Sequence, residues 1–428
     1  MTEGLQPQSI KIAASGFALG LLLLMFSIGR STAETAVETL DLRKMSAHEV
    51  VERALTDSLY YKFDKWFEVF EKKINRLEGS SKTLDNRLEL MKYNFYFSGL
   101  LGELCHTLAF TSKYKIKEVA DRFILHSSRT KELAKEILES PGLTTRQQAQ
   151  AYLFLGGAEG YIGIFEYGAG HLLKALINGF RADNHLEKAL ALDPNQADAH
   201  FGLGIYRYGN SRLGGIGNFI MQRGRDLRQT GLDHIEHAIR EKAPSRPLAL
   251  KTLAWFYISE QVNPDNKEIP AGQLLSVSLS RSKAIEFMKE LESDYFTSPP
   301  YADFKGNKEL AMMQALQYVL DSDYPNARAK FEEILEISED LKKNRGFAIN
   351  PQLTDSVKAG IEFCDLMLLA PSKDDEEGLR SACLKVKDQL NFLNSGGAMV
   401  EYDSKKIRSE LHSVFAGKLE GISRQMNC

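Results

Sequence analysis

The run Ala182-Asp183-Asn184-His185-Leu186-Glu187-Lys188-Ala189-Leu190-Ala191-Leu192-Asp193-Pro194-Asn195-Gln196-Ala197-Asp198-Ala199-His200-Phe201-Gly202-Leu203-Gly204 decides the fold. In its first half, Ala182, Leu186 and Ala189 recur at steps of four and three, the period of one helix face. Asp193-Pro194-Asn195 then breaks the period, because proline has no backbone N–H for a helix interior and its neighbours favour a turn. A second helical period follows at once through Ala197, Ala199, Leu203 and Gly204. The run reads as a helical hairpin. Outward from it the same pattern holds, as in Val50, Val51, Ala54, Leu55 and Leu59, then Trp66, Phe67, Phe70, Ile74 and Leu77. Upstream, Val119–Leu138 reads as the second helix of a pair. Downstream, Ala284–Leu291, Leu310–Leu316 and Ala327–Leu335 continue the series. Turn clusters such as Glu78-Gly79-Ser80-Ser81, Ser140-Pro141-Gly142 and Ala243-Pro244-Ser245 separate the stretches, and alternating β-type runs are absent. The fold class is all-α.

The hairpin repeats. Ala149–Gly156, Ala197–Gly204 and Pro247–Ala254 align without gaps, with starts 48 and 50 residues apart. Each keeps a small residue third, a larger one fourth, Leu seventh and Gly or Ala eighth. Ala182, Leu186, Ala189 and Pro194 are matched more loosely by Gly231, Ile235, Ala238 and Pro244. These residues resemble the tetratricopeptide repeat (TPR) pattern, with Ala182–Gly204 the most specific match and 149–262 the span covered well. Two features depart from it. His200 stands where the family often has Trp, and the period exceeds the usual 34 residues by about 15. The extra residues fall at Ile164–Gly179 and Asn210–Arg225, between the first and second helix of each unit. The resemblance implies a TPR-like α-solenoid, with Gly156, Ala182, Ala189, Pro194, Leu203, Gly204 and Ala238 as packing positions where helices cross. It divides the chain into an N-terminal signal or anchor (1–33), an N-terminal helical region (34–145), a repeat core with Gly-rich inserts (146–262) and C-terminal helical repeats (263–428).

Composition sets the outer limits. The chain has 428 residues, 43% apolar and 26% charged, close to ordinary globular usage, which argues against wholesale disorder and against a polytopic membrane protein. With 54 Lys+Arg against 57 Asp+Glu the net charge is −3, not the basic excess of a nucleic-acid partner. Ile12–Gly29 is an uncharged apolar run of 18 residues between Lys11 and Arg30. With Ser31-Thr32-Ala33 after it, the run matches a secretory signal; the alternative is an uncleaved membrane anchor, for which 18 residues just reach the length needed. Either reading places the rest outside the cytoplasm, in the periplasm of a bacterial envelope. Four cysteines cannot form a disulfide scaffold. Cys364 and Cys383 are close enough in sequence to pair if their helices are antiparallel neighbours, with Cys105 read as a core thiol and Cys428 as a loose tail.

Candidate chemistry is sparse. Residues 156–231 hold 15 of the 32 glycines, an enrichment that needs a geometric reason because an interior helical Gly costs roughly 0.5–1 kcal/mol against Ala. Close helix approach is one reason. The other is that the apolar and aromatic inserts (Tyr161, Ile162, Ile164, Phe165, Leu172, Leu173; Leu213, Ile216, Phe219, Ile220, Met221) wall a pocket or touch a membrane surface. No phosphate-binding loop is present. Asp233-His234-Ile235-Glu236-His237 is the one metal-like cluster, and it lacks the third protein ligand and the base of catalytic zinc. The reading therefore assigns no catalytic residue, no metal and no cofactor.

The resemblance also implies that the first helices line a concave face. Carried over, the family's groove positions fall on Leu153, Gly157 and Tyr161, then Asp198, Phe201, Ile205 and Tyr208, then Lys251, Trp255 and Ile258. From these, Tyr161, Phe201, Ile205, Tyr208, Lys251 and Trp255 form the expected partner-binding surface, aromatic anchors with a polar rim. The expectation is a non-enzymatic exported or membrane-tethered scaffold that docks a protein segment. The alternatives are a module for a small apolar ligand or glycan walled by the Gly-rich inserts, and a helical enzyme built around His200, His234 or nearby acids.

Overall fold

Capping side chains and prolines start most of the helices, and glycines and polar turns end them. In this computed structural model, which describes residues 45–109, 117–369, 375–399 and 405–428, the first half contains α1 (Ala47–Ser58), α2 (Asp64–Glu78), α3 (Leu84–Ala109), α4 (Lys117–Leu138), α5 (Thr145–Gly168), α6 (Leu172–Leu192), α7 (Ala197–Leu213) and α8 (Gly215–Gln222). The second half contains α9 (Arg228–Arg240), α10 (Arg246–Val262), α11 (Val277–Leu291), α12 (Lys308–Leu320), α13 (Tyr324–Asn344), α14 (Pro351–Leu368), α15 (Glu376–Asn394) and α16 (Lys405–Met426). Ser46 with Glu49, and Thr144 with Gln147, form reciprocal caps that satisfy the free N–H groups opening α1 and α5. Pro247, Pro325 and Pro351 sit in the first turns of α10, α13 and α14, where a missing N–H costs nothing.

The described residues contain no strand. No helix among them is long and apolar enough to cross a membrane, and the apolar run Ile12–Gly29 lies outside the described residues. Helices pack in consecutive pairs, α3 with α4, α5 with α6, α7 with α9, α10 with α11 and α12 with α13, the order of an α-solenoid. The three aligned segments of the sequence fall on α5, α7 and α10, the first helices of three consecutive packed pairs.

The small residues mark backbone crossings. A Cβ on Gly204 would lie 2.7 Å from the Gly231 carbonyl oxygen and 2.5 Å from Ile235, so α7 and α9 touch backbone to backbone. A Cβ on Gly156 would meet Leu186 at 2.9 Å and the Ala182 carbonyl at 3.0 Å, bringing α5 onto α6. Ala182, Ala189, Leu203 and Ala238 are buried beside these crossings, and Pro194 stands in the turn between α6 and α7. The two inserts differ in form. The first lengthens α5 and α6 to 24 and 21 residues, joined by a turn at Gly170 in the left-handed region. The second folds as the short helix α8. The side chains of Ile216, Ile220 and Met221 lie outside the described residues.

The cysteine expectation is corrected. Cys383 on α15 is bonded to Cys428, and Cys364 is a buried free thiol on α14. Sequence proximity suggested the wrong partner because the chain returns: α16 packs against α15 and brings the terminal residue back to it.

Gly204→Ala is expected to lower unfolding free energy by about 1–3 kcal/mol, since a methyl must push two backbones apart. Gly209→Ala, on the same helix with nothing within 4 Å of its would-be Cβ, is expected to gain roughly 0.5–1 kcal/mol. Denaturant titration of both variants distinguishes crossing glycines from merely flexible ones.

Candidate functional site

One face of α3 runs along the first helices of the repeat units. α3 has 26 residues, about 39 Å of helix, and residues four apart share a face. Phe95 stacks on Tyr161 of α5, with ring centroids 5.0 Å apart and planes 10° from parallel, and crowds Gly157. The Tyr96 hydroxyl donates to Asp198 at the start of α7 (2.7 Å), whose other oxygen accepts from Ser245 Oγ before α10 (2.6 Å). Glu103 meets Lys251 of α10. The Thr107 carbonyl accepts from Lys308 at the start of α12, and the Leu108 carbonyl accepts from Asn350 N, the cap of α14, at 2.9 Å. A single helix thus crosses the N-terminal parts of α7, α10, α12 and α14.

Charge holds this crossing. Lys251 is buried and pairs with both Glu103 and Glu309. Burial opposes its ammonium, yet the two carboxylates keep its proton affinity above the usual lysine range. Next to it, Lys308 is fully buried. Burial, aided by the Lys251 charge and opposed by Glu309, pushes its pKa down to about 7. Removing one member of such a set would leave an uncompensated buried charge.

A second buried network lies at the opposite ends of the same helices. Arg212, at the end of α7, donates Nε to Ser259 Oγ (3.0 Å), stands 3.4 Å from Glu260 Oε1 and donates Nη1 to Glu410 of α16 (3.1 Å). Glu260 is completely buried. It accepts from the Tyr208 hydroxyl (2.9 Å) and from Arg228 Nη1 (2.8 Å). Lys406 Nζ donates to the Arg212 carbonyl (3.1 Å), and Lys418 Nζ donates to Ser322 Oγ (2.9 Å) just after α12. Phe415 packs edge-on against Phe363 of α14. α16 therefore crosses the C-terminal parts of α7, α10, α12 and α14, as α3 crosses the N-terminal parts.

The residues expected to line a partner-binding face divide accordingly. Tyr161 and Lys251 are engaged by α3. Tyr208 is buried, bonded to Glu260 and to the Phe256 carbonyl, and stacked on the Phe256 ring at 3.8 Å. Phe201 and Ile205 on α7 and Trp255 on α10 are half-buried. Phe201 lies in the second turn of α7, Ile205 and Trp255 lie near the middle of their helices, and all three pack against the core. Sequence reading missed Glu103, Tyr96, Arg212, Glu260 and Glu410. The available signal was a charged residue inside an apolar stripe, such as Lys251 among Ala249, Leu250, Leu253 and Ala254. A cavity of about 340 Å³ lies between α15, α16 and residues 396–399, and among the described residues no insert residue lines it.

The metal-like cluster is a hydrogen-bonded imidazole set. His200 Nε2 stands 3.0 Å from the Pro194 carbonyl and so donates to it, leaving Nδ1 as an acceptor. Arg207 donates to His234 Nε2 (3.0 Å), so the His234 Nδ1–H donates to His200 Nδ1 (2.7 Å). His237 packs on His200, with ring centroids 4.2 Å apart. Both His234 nitrogens are used within the chain. Among the described residues no group of three or more His, Cys, Asp or Glu is arranged to hold a metal ion.

The chain matches no family model, no curated protein and no solved structure.

Burial, reinforced by Arg207, pushes the His234 pKa down to about 4, and burial also lowers that of His200. Both are neutral in the fold, whereas the unfolded chain takes up protons near pH 6.5. Their contribution to stability is present above that value and is lost as pH falls toward 4. The urea midpoint is expected to drop between pH 7 and pH 5, and His234→Asn, which keeps a donor toward His200, to flatten that drop.

Proposed function

We propose that this chain is a non-enzymatic, TPR-like scaffold, exported or membrane-tethered, that docks a protein segment on the first-helix face of its repeats. The observation supporting this reading is the chain's own α3. A helix lies across four successive first helices and is held by the Tyr96–Asp198 hydrogen bond, the Phe95–Tyr161 stack and the Glu103–Lys251 ion pair. Helix-in-groove recognition works by such anchors at helical spacing. Phe201, Ile205 and Trp255 form an aromatic and aliphatic strip that suits a further segment.

The experiment is co-purification of the full chain from its native host, beside a Phe201→Ala/Trp255→Ala variant whose fold is checked by circular dichroism. A partner retained by the wild type and lost by the folded variant is expected. Recovery of no protein with either would count against the reading and turn attention to a small ligand.

The Cys383–Cys428 disulfide supports an oxidising compartment, since such bonds are rare in the cytosol. Alkylation of protein isolated from its host and denatured without reductant is expected to add two groups, at Cys105 and Cys364. Finding all four thiols alkylated would argue for a reducing compartment.

A further inference from the structure

The lengthened α5–α6 hairpin and α8 expose apolar side chains among the described residues. Leu173 is 71% exposed and Phe219 70%, with Ile164, Leu172, Ile177 and Phe180 each between 44% and 52%. On α6, Leu173, Ile177 and Phe180 fall at i, i+4 and i+7, one outward stripe. Lys174 and Arg181 flank that stripe one residue on, and both are exposed. The hairpin is one surface, because a Cβ on Gly163 of α5 would lie 3.4–3.5 Å from Ala175, Asn178 and Gly179 of α6, and α8 packs beside α6.

Basic side chains predominate on this surface, and the acids that border it, Glu166 and Asp183, are paired within the chain. Residues 167–182 and 213–225 contain Lys174, Arg181, Arg223 and Arg225 and no Asp or Glu. All four basic residues are exposed. At the margins, Glu166 is paired with His171 and Lys174, and Asp226 with Arg228. A second copy seated here by two-fold symmetry would set cation against cation. A protein partner would need a matching acidic and apolar face. An anionic lipid surface supplies both features at once: headgroup phosphates for the Lys and Arg side chains, and an acyl boundary for an apolar face to enter by about 5–10 Å.

We propose that the α5–α6 tip, with α8, is a peripheral membrane-contact surface for anionic lipid. The surface is separate from the aromatic strip and does not depend on the scaffold reading or on the fate of residues 12–29.

The test uses the full chain with Cys105 and Cys364 replaced by Ala, carrying an environment-sensitive fluorophore at Leu173→Cys or Phe219→Cys, with Leu384→Cys as the control at an exposed apolar site elsewhere. Each is added to vesicles of phosphatidylcholine alone or with one-third phosphatidylglycerol. The expected result is a blue shift and protection from an aqueous quencher at 173 and 219 only with phosphatidylglycerol, while 384 stays accessible in both. Replacing Lys174, Arg181, Arg223 and Arg225 by Gln is expected to lower the protected-to-exposed ratio about fivefold per charge. Accessibility at 173 and 219 equal to that at 384 on anionic vesicles would overturn the proposal. Protection without any vesicle would overturn it too, by showing that a second copy covers the tip.

Discussion

Lys251 sits in the core with a carboxylate from α3 on one side and a carboxylate from α12 on the other. An ammonium removed from water is tolerated only where opposite charge reaches it with good geometry. α3, α10 and α12 are therefore held in one mutual register, and any slide of α3 along the repeat row would strand a buried charge. With α3 so placed, the rest of its face follows. Phe95 reaches Tyr161, Tyr96 reaches Asp198, and the last carbonyls of α3 meet Lys308 and the cap of α14.

The same chemistry recurs at the far ends of these helices. Glu260 is shared by Arg212, Arg228 and Tyr208, and Arg212 extends the network to Glu410. Apolar contacts alone would let α16 settle in several rotations, because Leu, Phe and Ile stripes are interchangeable. A buried guanidinium that must meet one carboxylate admits fewer arrangements. The disulfide from Cys428 to Cys383 closes the same end covalently. The row of first helices is thus crossed near both ends by helices of its own chain.

Glycine serves two ends in one stretch of sequence. At Gly156, Gly204 and Gly231 it lets backbones touch, which is how α5–α6 and α7–α9 pack so closely. At Gly170 and Gly214 it adopts left-handed geometry that turns the chain at the insert tips. The first use is structural and inward. The second carries exposed apolar residues away from the core, so the inserts extend the repeat without adding to its interior.

The sequence by itself determined the helical class, the series of helix pairs and the crossing points. These rest on short-range rules: the 3.6-residue period, proline and glycine breaks, and small residues at Ala182, Gly156 and Gly204 are all legible within a few turns of chain. It also showed the glycine-rich, apolar stretches that form the α5–α6 turn and α8. Only the tertiary structure decided what the first-helix face meets. Glu103 lies 148 residues from Lys251 and Glu410 lies 198 from Arg212, and nothing local distinguishes these acids from others on solvated helix faces. The pairing of Cys383 with Cys428 instead of Cys364 has the same cause. Local periodicity gives a helix its buried side, but which distant helix covers that side depends on how the stacked pairs bring the chain back on itself.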